Sequence, residues 1–542
     1  MAGTEIYGHV QGIPEQASES LHRFYMSQHV EPTSVAITQR ILHAFVELYF
    51  EYFNPQFPFL HPSRLEDPEL PWILLLATAA VGSQYSEIQG AEQYSVALCD
   101  LLARAVESTV DAENIVTAQS VFLLHILWMF SGSHQDKIIL QRKRSILVTL
   151  CWALLGKADK RTNSMPVEPG PEKEWQDWLS AESRIRLVTC CLNVWDLFSL
   201  VPHSSFASAT LHDNSRVRKL CGSVEMRETG RHIKGLCLVE HQADQRRGHS
   251  DQEWARLMLE CQPFASKVIL LELFIDERSI ARQLCSSQLL RSSFTSHLST
   301  LGQGSVHAEV NPAMLGLDIS KSESNYLDTA ISLLADVIPD GCATIFHVLA
   351  ILRRVPLETL HSATGWQTDE EQMLESKTRL KDFFLQSGAR ARECLWHAAY
   401  IFKTTRNCRR FACYDALSLM VAICYIYCYS ELCMAVTQSS AQMLPASDGA
   451  PRGQARPSVV RLDQLHEKSA IERWIESGAD SIVHLTGVGL LDGSDQCVRF
   501  LRDVEKTLSS QIAWRGFSLA LAGSFAQLRR GEMPTRKDSN ED

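Results

Sequence analysis

Residues 41–84 are the stretch around which we expect the rest of the chain to pack, and they read ILHAFVELYFEYFNPQFPFLHPSRLEDPELPWILLLATAAVGSQ. Large apolar side chains recur at helical spacing in the first half, which predicts a helix with an apolar face. These side chains are Ile41, Phe45, Leu48, Tyr49, Tyr52 and Phe53. Pro55 ends this helix, because proline lacks a backbone N–H and restricts the residue before it. A second helix is predicted from Pro71, where a missing N–H costs nothing, so the stretch predicts a buried helical hairpin.

The composition of the chain predicts a soluble globular protein. Of its 542 residues, 45% are apolar and 21% are charged, which argues against a disordered chain. A length prior of roughly 150 residues per domain suggests three or four units, although all-helical regulatory regions run longer as one body. The 63 acidic and 52 basic side chains give a formal net charge of −11. This charge argues against a broad contact with nucleic acid, which needs a basic face.

The N-terminus and the cysteines predict an intracellular protein. Residues 1–20 have no basic region followed by an apolar run, so they do not match a secretory signal. The best membrane candidate, Ala416–Ser430, has about 15 residues, whereas a helix needs about 20 to cross a bilayer. We therefore expect a buried helix there. In an intracellular protein the 16 cysteines are expected to be reduced thiols.

No motif with a catalytic, cofactor-binding or metal-binding mechanism stands out. The segment GVGLLDG at Gly487–Gly493 departs from the phosphate-binding glycine pattern, and we predict a turn between helices there. Cys424 and Cys428 would share a helix face, but free cysteine usually packs as a small buried hydrophobe, which favours core packing over a metal site. The basic runs Arg142–Arg144 and Arg409–Arg410 are predicted to be solvated faces or partners of helix dipoles. We predict no catalytic, cofactor-binding or metal-binding residue, and no enzyme.

The identities of the residues in the hairpin are more informative than the helical spacing of its apolar residues. LYFEYFNPQFPFLHPSRL followed by LLLATAAVGSQYS resembles the opening motif of the fungal-specific transcription factor domain, the middle homology region of fungal zinc-finger regulators. The pattern W-x-x-W-x-x-x-E-x-x-x-R from Trp175 to Arg186 resembles another motif of this family, most like that of its C2H2-finger subgroup. There we expect Glu182 to pair with Arg186 near the surface while the tryptophans are buried. His61 of the opening motif is expected to cap the hairpin loop.

The resemblance spans roughly residues 35–528 and implies an all-α fold, a multi-helix bundle or array with long loops. Together with the composition along the chain, it divides the sequence into seven parts. These are 1–34, a polar N-terminal segment; 35–201, the first part of the domain; 202–325, a loop-rich insertion with a helical segment; 326–437, the late helices; 438–460, a linker; 461–528, the C-terminal helices; and 529–542, a tail.

Family members generally carry a zinc-binding module that reads DNA ahead of this region, and residues 1–34 do not match one. No cysteine precedes Cys99, and a zinc finger folds only when thiolate and imidazole ligands close a tetrahedral site. Two explanations stay open: an upstream exon encodes the finger, or the protein acts through a partner that reads DNA. An in-frame C-x-x-C followed by H-x-x-x-H upstream of Met1 would favour the first.

The resemblance implies an indirect role in transcription. We expect a nuclear transcription regulator that controls a metabolic or secondary-metabolite gene set through dimerisation, co-regulator binding or effector binding. The expected partners are transcriptional co-regulators or a DNA-binding family member, a second copy of the chain, and a small-molecule effector. Direct contact with DNA is doubtful and a membrane is not expected. The alternative is a helical ligand-binding protein or enzyme derived from the same fold, with no role on DNA, and a third possibility is an inactive remnant.

Overall fold

The computed structural model describes the chain in several stretches. The described residues are 5–28, 37–108, 114–160, 171–199, 343–366, 368–442, 458–463, 468–478, 481–486, 488–491 and 494–532, with five positions between 264 and 274. In these stretches the chain is an array of helices with one small sheet, which confirms the all-α prediction. The predicted insertion over 202–325 lies almost entirely outside the described residues.

The helices fall into an N-terminal group and a C-terminal group. The N-terminal group comprises α1 (Glu15–Ser27), α2 (Gln39–Leu48), a π-helical turn (Tyr49–Phe53), a 3-10 turn (Pro62–Arg64), α3 (Trp72–Ser83), α4 (Ala91–Ser108), α5 (Ile115–Met129), α6 (His134–Lys160) and α7 (Pro171–Ser199). The C-terminal group comprises α8 (Ala343–Arg354), α9 (Leu357–Ala363), α10 (Glu370–Gln386), α11 (Gly388–Arg406), α12 (Asp415–Gln442), β1 (Ser458–Arg461), α13 (Lys468–Ser477), β2 (Ser481–Leu485), β3 (Gly489–Leu490), α14 (Ser494–Ser509) and α15 (Arg515–Arg530).

The predicted hairpin is formed by α2 and α3 and begins with a side-chain cap. The hydroxyl of Thr38 accepts a hydrogen bond from the Ile41 N–H at 3.4 Å, which satisfies one of the free donors at the start of α2. The helix then widens into the π-helical turn and stops at Asn54, directly before Pro55. Pro71 precedes the first residue of α3. Proline therefore marks the end of the first helix and the start of the second, as predicted.

Burial of the hairpin extends beyond the predicted apolar stripe. Val46 and Glu47 are as fully buried as Phe45, and α3 is buried from Ile73 to Ser83. A helix that is apolar all round lies inside a protein rather than at its surface. The two helices cross closely at Gly82, where a Cβ would lie 1.8 Å from the Phe45 carbonyl oxygen. No residue larger than glycine fits at this crossing without a shift of the backbone.

The other helices of the N-terminal group surround this hairpin. Helices α1, α4 and α5 pack on α3, α6 packs on α5, and α7 packs on α6. Helix α5 is buried from Val116 to Met129. The rings of Phe57 and Phe59, from the loop between α2 and α3, meet the edge of Phe122 with centroids 5.7 and 5.3 Å apart. These contacts fix the loop of the hairpin against α5.

Helix α12 is the central helix of the C-terminal group, and α8 to α11 pack against it. By length and composition its segment Asp415–Leu432 could cross a bilayer, but 67% of that segment is buried inside the structure. The Tyr425 hydroxyl donates to the Ala391 carbonyl of α11 at 2.8 Å. The prediction of a buried helix over Ala416–Ser430 is therefore confirmed.

A three-stranded sheet lies partly within residues 461–528, where the sequence predicted helices. Strand β1 runs parallel to β2, and β2 runs antiparallel to β3, with Leu485 opposite Gly489. The prediction of a turn between helices in GVGLLDG was wrong, because this segment joins β2 to β3 and contains β3. Short strands are stabilised by their partner strands and have little periodicity of their own. Helix α12 extends to Gln442 and β1 begins at Ser458.

Candidate functional site

The two groups of helices meet where the turn between α14 and α15 enters the N-terminal group. Trp514 has a left-handed backbone with φ 52° and is buried, and its Nε1–H donates to the Tyr85 hydroxyl at 3.1 Å. Its ring centroid lies 5.6 Å from that of Phe130. Gly516 passes so close to the α5–α6 turn that a Cβ would lie 2.1 Å from the Ser131 carbonyl oxygen. We call this contact between the groups the seam.

Arg410 also crosses the seam. Its Nε donates to the Tyr85 carbonyl at 3.1 Å, one terminal nitrogen donates to the Tyr52 hydroxyl at 3.0 Å, and the other pairs with Glu87 at 2.9 Å. The prediction that Arg409–Arg410 is a solvated face or a dipole partner was therefore wrong for Arg410. The sequence held no sign of this role, because Tyr85 is 325 positions away.

In the other basic run, Arg142–Arg144, one side chain is exposed to solvent and another makes a contact within the protein. Arg142 is exposed, as expected of a solvated face. Lys143 instead pairs with Glu107 of α4, and its ammonium lies 5.6 Å from the ring centroid of Trp128. Neither basic run therefore forms a continuous exposed basic surface.

A cleft of about 1290 Å³ lies beside the seam. One wall is α4, and the others are the α3–α4 connection, the end of α5, the start of α6 and the α14–α15 turn. Its apolar lining includes Ile88, Leu127 and Val96, whose side chain is 60% exposed. Its charged lining is Glu87, Glu92, Asp100, Arg104, Asp136 and Arg515. The volume is sufficient for a small organic molecule.

Two of the cleft's carboxylates already have a cationic partner. Glu87 pairs with Arg410 at the seam, and Glu92 lies 3.6 Å from Arg515 at the exposed rim. Exposed pairs of this kind contribute about 0–1 kcal/mol to stability. These four side chains frame the cleft without leaving a net charge in it.

Asp100 and Asp136 are different, because neither has an ion-pair partner within 4.0 Å among the residues that the structure describes. Burial raises the pKa of Asp100, Arg104 opposes that rise, and the Asp136 carboxylate adds to it. Burial also raises the pKa of the neighbouring Cys99 thiol to about 12, with both carboxylates contributing. Among the charged groups near Asp100, Arg104 affects its pKa more than Asp136 does.

Gln511 also lines the cleft, and its amide is held by the protein. The residue is 4% exposed, and its Nε2 donates to the Cys408 carbonyl at 2.8 Å and to the Thr507 carbonyl at 3.3 Å. Its Oε1 is buried and accepts no hydrogen bond from the described residues. A buried acceptor without a partner costs roughly 1–3 kcal/mol.

Glu47 holds the N-terminal segment on the hairpin. Its side chain is fully buried; one carboxylate oxygen accepts hydrogen bonds from the N–H groups of Tyr7, Gly8 and His9 at 2.9, 2.7 and 3.0 Å, and the other accepts from Val10 at 2.7 Å. Burial alone would raise the pKa of Glu47, but the four backbone donors outweigh it and lower that pKa. A glutamate inside an apolar helix gave no indication of this role in the sequence.

A buried histidine pair joins α8 to α11 and was also missed. The Nδ1 atoms of His347 and His397 lie 2.7 Å apart, so one ring donates and the other accepts. Burial lowers the pKa of His397 to about 3, and burial with the neighbouring ring lowers that of His347 well below its ordinary value. Both rings are therefore neutral at pH 7 and contribute packing and one hydrogen bond.

The structure confirms two of the predicted roles. His61 caps the 3-10 turn of the hairpin loop, its Nδ1 lying 3.3 Å from the Ser63 N–H. Cys424 and Cys428 are buried in the core, and burial raises the pKa of the Cys424 thiol to about 12. Across the described stretches of the chain, no group of three or more His, Cys, Asp or Glu side chains is arranged to hold a metal ion.

The prediction for the tryptophan-containing helix was partly wrong. Arg186 pairs with Glu182 at 2.7 Å, as expected, but Glu182 is buried rather than near the surface. Trp175 is 47% exposed and stacks on Trp178 with ring centroids 5.0 Å apart. The Trp175 ring also meets the edge of His61 at 6.1 Å. Stacking on each other shields part of each ring without placing the pair in the core.

In the part of the chain that the structure describes, the fold and the seam form a helical body with an internal core and a cleft beside the contact between the two groups. Residues 46–203 match the family model described as the fungal specific transcription factor domain. This part of the chain is therefore similar to the fungal specific transcription factor domain. The match begins near the end of α2 and covers α3 to α7, which belong to the N-terminal group of helices.

A curated relative extends the likeness along most of the chain. It is a protein named transcription factor from Gibberella fujikuroi, 22% identical over 520 residues, and the alignment covers 94% of this chain. The chain spans 63% of the length of that relative. No solved structure matches this chain.

Proposed function

We propose that this protein is a transcription regulator and that the helices described above are its regulatory body. The observation that carries the proposal is the domain match over 46–203, which coincides with the buried hairpin and the helices packed around it. The transcription factor relative, aligned along 94% of the chain, supports the same function. The protein acts in the nucleus on a metabolic or secondary-metabolite gene set.

The regulation is indirect. A net charge of −11 disfavours a broad DNA contact, and Arg410 and Lys143 are committed to contacts within the protein. The body therefore acts through dimerisation, through co-regulators or a DNA-binding family member, and through an effector bound in the cleft. A ligand there would contact α4 of one group and the α14–α15 turn of the other. It would favour whichever arrangement of the two groups binds it more tightly.

The second candidate is a helical ligand-binding protein with no role on DNA. The observation that favours it is the cleft of about 1290 Å³, which has charged and apolar walls whatever the protein's location. The two candidates differ in nuclear location and in promoter occupancy.

A tethering experiment tests the proposal. The chain is fused to an unrelated DNA-binding module, and the site of that module is placed upstream of a reporter gene. We expect the fusion to change reporter expression several-fold relative to the module alone. Gly516→Ala, which disturbs the seam, should abolish the effect, whereas Gly523→Ala, where a Cβ meets no atom within 4 Å, should retain it.

Two results together would contradict the proposal. One is a folded, nuclear fusion that leaves the reporter unchanged. The other is chromatin immunoprecipitation of the native protein that recovers no promoter DNA. That combination would favour the ligand-binding alternative.

A further inference from the structure

A second buried carboxylate anchors the N-terminal segment, residues 5–13, and this anchor lies beside the seam. Glu5 is 5% exposed. One of its carboxylate oxygens accepts a hydrogen bond from the Ser86 hydroxyl and the other accepts from the Glu87 N–H, each at 2.7 Å. The Glu87 carboxylate in turn pairs with Arg410 at 2.9 Å. Glu5 therefore fixes the α3–α4 connection at the point where it presents a carboxylate to Arg410.

Tyr7 reaches Arg410 by a second route. Its hydroxyl lies 3.1 Å from that of Tyr52, which accepts a hydrogen bond from Arg410 at 3.0 Å. A guanidinium only donates, which leaves the Tyr52 O–H able to donate to Tyr7. In such a chain of hydrogen bonds each bond polarises and strengthens the next. Two of the three acceptors that hold Arg410 across the seam are therefore themselves held by the N-terminal segment.

The aromatic rings follow the same path. The Tyr7 ring meets the edge of Tyr52 with centroids 6.1 Å apart, and the Tyr52 ring stacks on Tyr85 at 5.4 Å. Tyr85 meets the Trp514 ring at 5.7 Å and accepts from its Nε1–H at 3.1 Å. Undocking of Tyr7 would uncover one side of the Tyr52 ring, at the start of a row of rings that ends in the seam.

We propose that residues 5–13 are a latch on the seam: docked on the hairpin, they hold Glu87 and Tyr52 in position to bind Arg410. When they undock, the contact between the two groups of helices loosens. Ser86 and Glu87 also line the cleft, so the latch reaches the cleft wall as well. This coupling goes beyond the proposed function and requires only the folded chain. In a regulator, capture of these residues by another protein would be transmitted to the seam.

The coupling of two sites is reciprocal, so the latch and the seam must each respond to a change in the other. Hydrogen exchange of the purified full chain, resolved at single amides, measures both. The amides of residues 7–10 are the probes of the latch, because they donate to Glu47. The Ile512 amide is the probe of the seam, because it donates to the Arg409 carbonyl at 3.2 Å.

Removing the arginine tests one direction. In Arg410→Gln we expect the amides of residues 7–10 to exchange about tenfold faster, although they donate to Glu47 and not to Arg410; coupled sites typically affect each other about 5- to 150-fold. The matched control is Arg406→Gln. Arg406 pairs with Asp503 at 3.1 Å within the C-terminal group, so this variant should leave the same amides unchanged.

Removing one hydroxyl tests the other direction with little risk to the fold. Tyr7→Phe keeps the ring and deletes its hydrogen bond, and we expect the Ile512 amide to exchange about fivefold faster. The control Glu51→Gln alters the pairing of Glu51 with His9 at 2.8 Å. That pairing holds the same segment but lies off the path to the seam, so the Ile512 amide should be unchanged.

The proposal is overturned if either variant changes exchange at the opposite probe no more than its control does, because the segment would then dock independently of the seam. It is also overturned if protection falls equally throughout α12, since global unfolding rather than the latch would then be responsible. Faster exchange in both directions, confined to the segment and the seam, supports the latch. Should Arg410→Gln fail to fold, as circular dichroism would reveal, Tyr7→Phe and its control decide between these results.

Discussion

Replacing Glu47 by glutamine should release the N-terminal segment from the hairpin. In the native protein the Glu47 carboxylate accepts four backbone N–H groups, from Tyr7, Gly8, His9 and Val10, at 2.7–3.0 Å. A glutamine has one acceptor oxygen, and its NH₂ group would face at least one of these donors. The substitution preserves size and removes the charge and one acceptor.

The size of the effect follows from these contacts. A hydrogen bond to a charged group contributes about 1.5–3 kcal/mol to stability, and one to a neutral group contributes about 0.5–1.5 kcal/mol. Glu47→Gln therefore weakens three of the four bonds by this difference. The fourth donor is left buried without a partner, which costs about 1–3 kcal/mol. The sum is about 4–7 kcal/mol, which is enough to detach the segment locally. Each 1.4 kcal/mol corresponds to a factor of ten in the equilibrium.

Hydrogen exchange followed by mass spectrometry measures this opening. We expect amide protection over residues 5–13 to fall about a hundredfold or more in Glu47→Gln. The control is Glu51→Gln, because Glu51 pairs with His9 at 2.8 Å near the surface, where such a pair contributes about 0–1 kcal/mol. If Glu47→Gln changes protection no more than Glu51→Gln does, the carboxylate is not what anchors the segment.

Three further predictions test the core, the seam and the pH dependence of the segment. Phe53→Ala should lower the free energy of unfolding by about 3–5 kcal/mol in denaturant titrations, because the ring is fully buried. The control Leu374→Ala, at a side chain 65% exposed, should change the free energy of unfolding by no more than about 0.5 kcal/mol. Equal effects of the two substitutions would contradict the burial of Phe53. Gly516→Ala should destabilise the protein by about 1–3 kcal/mol through overpacking. Gly523→Ala, in open space on α15, should stabilise the protein by about 0.5–1 kcal/mol. If neither substitution shifts the melting temperature, the close approach at the seam is refuted. The pKa of Glu47 is lower in the folded state than in the unfolded state. The stabilisation by its carboxylate is therefore fully present above the ordinary glutamate pKa and is lost as the pH falls through the lowered pKa of the folded state. The anisotropy of a fluorophore at the N-terminus should drop on acidification, and Glu47→Gln should show no such step.

The sequence predicted the helices that are determined by contacts between residues close together in the chain. A helix forms through contacts between residues three and four positions apart, so the spacing of apolar residues from Ile41 to Phe53 and the prolines at 55 and 71 were enough to place the hairpin. The apolar run in α12 was recognised as a core helix because its length in the sequence is below the roughly 20 residues that cross a bilayer. The resemblance of the hairpin to the fungal transcription factor motif was carried by consecutive residues as well.

The candidate site depended on contacts that no local pattern contains. Trp514 meets Tyr85 across 429 positions, and Arg410 reaches Tyr85 across 325. Glu47 accepts its hydrogen bonds from the backbone of residues 7–10, which lie 37–40 positions earlier in the chain, so the sequence around it gave no sign of its role. The cleft exists only because α4 and the α14–α15 turn come together in the folded chain. Helix formation therefore followed from the sequence, whereas the seam, its cleft and the charges without partners were decided by tertiary packing, because chain-distant groups acquire partners only after the helices have assembled.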